Sequence, residues 1–152
     1  MTTSSSTASH PTGVRTYKGR CLCGAVRFEF DVDLSAGTNR CNCTSCTKTG
    51  WWSVVVKPEA FRLVAGRETL GDYSLSEDMH ARFCGTCGVR TFSHGDVPDL
   101  GGAFYSVNLN CLEDADLTGV PVRYLDGRHD TWAELARAPY VSPFVSESLA
   151  RA

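Results

Sequence analysis

Apolar and polar residues alternate over short stretches of this chain, mostly at the period of a strand. Val26 to Val32 (VRFEFDV) sets apolar against charged residues at period two, which predicts a strand with one buried face. Trp51 to Val56 (WWSVVV) is a run of aromatic and β-branched residues that predicts a buried strand, broken by Lys57-Pro58-Glu59. Phe61 to Val64 resumes the extended pattern up to a turn at Gly66, and Thr69 to Leu75 predicts a strand with Tyr73 and Leu75 on one face. Further short strands are predicted at Ala81 to Phe83, Val89 to Phe92, Ala103 to Leu109 and Val122 to Tyr124. Turns are predicted at Gly19 to Ala25, Ser35 to Asn39 and Asp126-Gly127, and a Gly, Asp and Pro loop at His94 to Gly102. Only two helical pieces suggest themselves: one turn at Cys111 to Leu117, and Thr131 to Ala138, where Trp132, Leu135 and Ala136 repeat at helical spacing. Strands at roughly ten-residue spacing without a long amphipathic helix predict a β-rich domain of stacked sheets.

Length and composition narrow this. A chain of 152 residues can bury a core as one domain without outside help. Residues 1–14 are rich in Ser and Thr, carry little apolar payload and predict a disordered tail; the domain spans 15–140, and 141–152 form a C-terminal tail. A net charge of −2, with no Lys or Arg in the first 14 residues, lacks the basic footprint of nucleic-acid binding, so no nucleic-acid partner is expected. No stretch approaches the roughly 20 apolar residues of a membrane helix, so no membrane partner is expected either. Met1 to Gly13 has neither the basic start nor the apolar middle of a secretory leader, which points to a soluble cytoplasmic protein. Nothing in the patterning bears on oligomeric state.

That setting changes the meaning of the eight cysteines. In a reducing compartment, tight CxC and CxxC spacing points to metal ligands in preference to disulfides. Seven of the eight fall in three clusters: Cys21 with Cys23, Cys41 with Cys43 and Cys46, and Cys84 with Cys87. Cys84-Gly85-Thr86-Cys87-Gly88 has the form of a zinc knuckle, and Cys21 with Cys23 is its natural complement. Four thiolates complete a tetrahedral zinc, whereas the remaining three leave a position open for a thiol or water. Three other readings stay open: a second closed site completed by Cys111 or a histidine, an iron or iron–sulfur centre, and a thiol reservoir. Cys111 otherwise reads as a small buried hydrophobe. Near the triple, Trp51 and Trp52 can wall a site or fill a core, Arg40 and Arg90 can pair with a carboxylate, and His94 can act as acid or base.

Gly19-Arg20-Cys21-Leu22-Cys23-Gly24-Ala25-Val26, Cys41-Asn42-Cys43-Thr44-Ser45-Cys46 and Phe83-Cys84-Gly85-Thr86-Cys87-Gly88 resemble, in order and spacing, the glutathione-dependent formaldehyde-activating enzyme family, which includes centromere protein V. The resemblance implies an Mss4-like β-tent of short antiparallel strands and two zinc ions per chain. It further implies that Cys21, Cys23, Cys84 and Cys87 hold a structural zinc, and Cys41, Cys43 and Cys46 a catalytic one. The implied activity is that of a carbon–sulfur lyase acting on the adduct of formaldehyde with a small thiol such as glutathione; the alternative is a zinc-stabilised binding module without catalysis. Asp126, Gly127, His129 and Trp132 are also similar to family members, and read as a turn with an aromatic anchor. A glutathione pocket calls for convergent positive charge, and the sequence displays no such cluster.

Overall fold

The computed structural model describes residues 12–113 and 115–143, so expectations for residues 1–11 and 144–152 lie outside it. The described strands are β1 (Arg15–Arg20), β2 (Arg27–Val32), β3 (Thr38–Cys41), β4 (Trp52–Val56), β5 (Phe61–Ala65), β6 (Leu70–Ser76), β7 (Met79–Cys84), β8 (Arg90–Val97), β9 (Gly102–Asn108), β10 (Pro121–Leu125) and β11 (Glu134–Pro139), with one short helix, α1 (Thr44–Thr49). They form a three-stranded sheet, β1-β2-β5, and an eight-stranded sheet, β11-β10-β3-β4-β9-β8-β7-β6. The fold is mostly β, with stacked sheets consistent with a β-tent. Among the described strands every pairing is antiparallel except one: β10 runs parallel to β3, with Leu125 opposite Cys41. Among the described residues no helix is long and apolar enough to cross a membrane.

The period-two pattern of β2 explains how the sheets meet. Phe28 and Phe30 are fully buried, while Asp31 turns outward to a two-pronged pair with Arg62 on β5 at 2.9 Å. Phe28 stacks on Phe61 at 5.8 Å, and Phe61 stacks on Tyr105 at 4.2 Å and touches Phe92 at 4.8 Å, so an aromatic column joins the small sheet to β8 and β9. Such rings carry much of the burial energy of a core this size, about 1.5–3 kcal/mol each.

Several expectations need correction. The first strand starts at Arg15, ahead of the predicted turn, and pairs residue for residue with β2. It was hard to see because one of its two buried positions is Gly19, where a Cβ would overlap the Phe28 ring. The segment Ser35 to Asn39 is not one turn: a 3₁₀ turn spans Leu34–Ala36, and β3 begins at Thr38. Helix α1 has no apolar stripe, since none of its six residues is buried. His94 to Gly102 is not a loop from its start: β8 continues to Val97, with Gly95 allowing the close approach of the Asp78 carbonyl and the Phe104 ring. The turn expected at Cys111 to Leu117 is instead a 3₁₀ turn over Leu109–Cys111, with Asp114 outside the described residues. Thr131 to Ala138 is not helical. Residues Glu134–Pro139 form an exposed edge strand on β10, so the spacing of Trp132, Leu135 and Ala136 marks no buried face.

His94 lies on β8 opposite both His80 and Tyr105, with its Nε2 3.3 Å from the Arg82 guanidinium. Burial first, then the charges of Arg82 and His80, hold its imidazole below the ordinary value, against a small opposing pull from Asp72. The unfolded chain therefore binds the extra proton more readily just below the ordinary histidine pKa, and stability falls as pH drops through that window. Urea midpoints between pH 7.5 and 6.0 are expected to decline less in His94→Gln than in wild type; equal slopes would show that this imidazole is not a source of the pH dependence.

Candidate metal centres and the adjoining cleft

Two groups of cysteines converge, and each can hold a metal ion. The first joins two knuckles. Cys21 and Cys23 follow β1; Cys84 ends β7 and Cys87 follows it. Both knuckles close alike: the Cys21 N–H donates to the Val26 carbonyl at 3.1 Å and the Cys84 N–H to the Val89 carbonyl at 2.9 Å. Gly24 and Gly88, at φ +82° and +81°, adopt the left-handed backbone that these reversals require. Backbone N–H groups of Val26, Thr86 and Cys87 point at the Cys21 and Cys84 sulfurs at 3.3–3.4 Å. Sulfur–sulfur distances are 3.7 Å for Cys21 to Cys23 and 3.6 Å for Cys23 to Cys84. Four sulfurs about 2.3 Å from a common centre lie about 3.8 Å apart, so the group fits a tetrahedral ion. Cys87 is held down to about 6 by the Val89 N–H, while at Cys23 the lowering pull of the Ala25 N–H is outweighed by partial desolvation and neighbouring sulfurs together, which lift it to about 11. Four such sulfurs do not ionise together without a cation among them.

The second group is local in sequence. Cys41 ends β3, Cys43 caps α1, and Cys46 lies in its first turn. The Cys43 N–H points at the Cys41 sulfur at 3.4 Å and the Cys46 N–H at the Cys43 sulfur at 3.3 Å. Burial raises the Cys46 and Cys41 thiols; Cys43 moves down despite its own burial, held by the Cys46 N–H and both neighbouring sulfurs. Among the described residues no fourth Cys, His, Asp or Glu joins these three. Cys111 is elsewhere, buried with its sulfur 3.6 Å from the Arg90 carbonyl.

A loop from Asp126 to Ala133 is fastened to this group. The buried Asp126 carboxylate accepts from the Asn42 amide at 3.0 Å and from Thr131, and meets His129 Nδ1 at 3.0 Å; with Asn42 as the strongest influence, its pKa lies below the usual carboxylate range. Asn42 returns the grip, accepting the Arg128 N–H at 2.8 Å. Asp130 and Trp132 adopt φ of 56° and 58°, uncommon for residues with side chains. At Gly127 a Cβ would overlap the Cys41 sulfur and crowd the Trp132 ring. Gly127→Val is expected to displace Cys41 and weaken the second metal site alone: chelator competition should release one ion at least tenfold more readily, the other unchanged. Two unaltered affinities would show that the loop yields freely.

Beside the three sulfurs lies a cleft of about 220 Å³, bordered by Arg40, Cys41, Cys46, Trp51, Tyr124, Leu125 and Leu135. Of the residues singled out from sequence, Trp51 faces this cleft, while Trp52 is core, stacked on Tyr140 at 4.1 Å with its indole N–H on Thr38. Arg40 lies over Trp52 and Arg90 over Trp51, at 5.6 and 5.3 Å. His94 does not join them: it shares a register row with Tyr105 and Val56, at the other end of β4 from Trp52. Sequence patterning missed Tyr124, Leu125 and Leu135 as site residues, since their only signal was an ordinary strand or helix spacing. Asn42 was visible only as the residue between two ligand candidates.

Residues 16–125 match the family described as glutathione-dependent formaldehyde-activating enzyme. The crystal structure of a Rhodobacter sphaeroides protein is similar at 31% sequence identity and a TM-score of 0.57, covering 65% of this chain and 90% of that one.

Proposed function

Because the chain belongs to the glutathione-dependent formaldehyde-activating enzyme family, we propose that it is a carbon–sulfur lyase that forms and cleaves the adduct of a thiol with formaldehyde. The observation that carries this is the three-sulfur group with no fourth side-chain ligand among the described residues, bordering a cleft. Zinc would suit both groups; held by three thiolates it would have a position left for a thiol and would lower the pKa of that thiol. Cys21, Cys23, Cys84 and Cys87 would hold the structural ion, and Cys41, Cys43 and Cys46 the catalytic one.

The residues of the chain then have distinct tasks. The N–H groups of Cys43 and Cys46 fix the sulfurs, and the Asn42–Asp126 clamp fixes the segment that carries them. Trp51, held by Ser106 through its indole N–H at 3.2 Å, walls the cleft against water. In the forward direction the substrate sulfur gives a lone pair to the aldehyde carbon. The carbonyl π pair moves to oxygen, which gains a proton from solvent in place of the one the thiol released. Reversal breaks the carbon–sulfur bond and returns the proton. Glutathione is the thiol the family description names.

The test pairs metal content with turnover. Two zinc equivalents per chain are expected, together with faster formation of S-hydroxymethyl thiol from formaldehyde, followed by ¹³C NMR. Two tightly held zincs with no acceleration for any thiol in a broad panel would leave the binding-module reading in its place.

A further inference from the structure

The cleft beside the three sulfurs is unlike a site for a tripeptide. Among the described residues Arg40 is the only charged side chain on its border. Among the described residues Arg40 has no ion pair; it stands in one cross-strand row between Tyr124 and Trp52, with its guanidinium over the Trp52 ring. Tyr124, beside Arg40, and Leu135 give the border an apolar part open to solvent: Tyr124 is 39% and Leu135 60% exposed. Leu135 is there by construction. The β10–β11 ladder slips between Tyr124 and Leu125, so that these pair with Ala136 and Glu134 and Leu135 becomes the extra residue of a bulge. Bulges re-aim side chains in this way beside active sites. The volume, about 220 Å³, lies below the roughly 300–1,000 Å³ of pockets for drug-sized ligands.

Glutathione carries two carboxylates and an ammonium, and each charge taken from water needs a partner. One guanidinium, with Asn42 and Thr47 as neutral polar neighbours, offers one charged partner amid aromatic rings and leucines. We infer that this cleft selects a small thiol bearing one carboxylate and an alkyl or aryl arm, with the carboxylate on Arg40 and the arm against Tyr124 and Leu135. This rests on the reading of the three-cysteine group as a thiol site, and it narrows which thiol.

Binding of sulfur-free probes to the full zinc-loaded chain separates the two claims. By calorimetry, 3-phenylpropionate is expected to bind at least tenfold more tightly than glutathione with a methyl in place of its thiol. Leu135→Glu should weaken the phenylpropionate about five- to tenfold, as part of a leucine contact is lost and a like charge added. Arg40→Gln should weaken it by a similar factor, with binding of the neutral 3-phenylpropanamide changed less than twofold. The inference is overturned if phenylpropionate does not bind, if neither substitution alters its binding, or if the tripeptide analogue binds equally well. The lyase reading is tested apart from this with 2-mercapto-3-phenylpropionate and formaldehyde. Selective probe binding without turnover of any thiol would sink the lyase and leave the selectivity; brisk turnover of glutathione without probe binding would do the reverse.

Discussion

Cys84→Ser is expected to give a chain that binds one zinc where wild type binds two, and that is largely unfolded at 37 °C. Cys84 is wholly buried, receives two backbone N–H groups, and lies 3.6 Å from the sulfur of Cys23, 61 positions earlier. The ion it would help to hold ties the end of β1, in the small sheet, to the end of β7, in the large one. Around this junction the packing is thin: Cys21, Cys84 and Val26 form a buried cluster of their own, apart from the aromatic column. Apparent binding energies of structural zinc reach about 10–16 kcal/mol in small metal domains, which matches or exceeds the whole stability of a typical domain, about 5–15 kcal/mol. Losing the ion therefore outweighs loss of a ring such as Phe61, whose truncation to alanine is expected to cost about 3–5 kcal/mol. Thermal melts followed by circular dichroism, with zinc measured on the same samples, decide it. A cooperative melt within a few degrees of wild type in Cys84→Ser would show that the core holds without this clip.

Cys43→Ser is expected to abolish turnover, by about a thousandfold or more, while the fold survives. Serine is itself a favoured helix cap, so the hydrogen bond from the Cys46 N–H persists and α1 keeps its start. The hydroxyl is a poor substitute for a thiolate as a zinc ligand, and a Lewis acid contributes several kcal/mol to such chemistry. About 4 kcal/mol corresponds to roughly a thousandfold in rate. One zinc per chain, an unchanged melting profile and no detectable adduct formation are the expected results. Wild-type rates from a chain carrying a single zinc would remove the three-cysteine group from the reaction. Those two outcomes together would separate a site that holds the fold from a site that performs chemistry.

Much of the site was legible because its chemistry is local. Cys41, Cys43 and Cys46 lie within six residues, and a strand end followed by a helix cap brings their sulfurs together with little help from the rest of the fold. The knuckles were legible too, since glycines after Cys23 and Cys87 announce tight reversals. What failed were inferences from periodicity where burial does not follow it. Leu135 and Trp132 look like one face of a helix, yet both are exposed, on an edge strand and a clamped loop. Gly19 interrupts the pattern of β1 because a phenylalanine from the neighbouring strand fills its place.

The order of residues by itself determined the strand alternation of β2, the strand β4 with all but Val55 buried, and the division of seven cysteines into a four and a three. Each follows from side-chain chemistry and spacings of a few positions, which operate before any distant segment arrives. Only the tertiary structure decided what surrounds the three sulfurs. Parallel pairing of β10 with β3 sets Leu125 against Cys41, a bulge turns Leu135 toward the cleft, and Asp126 reaches Asn42 across 84 positions. Strand pairing between remote segments is chosen by the burial of the whole sheet, so no local pattern announces which side chains it will bring to a site.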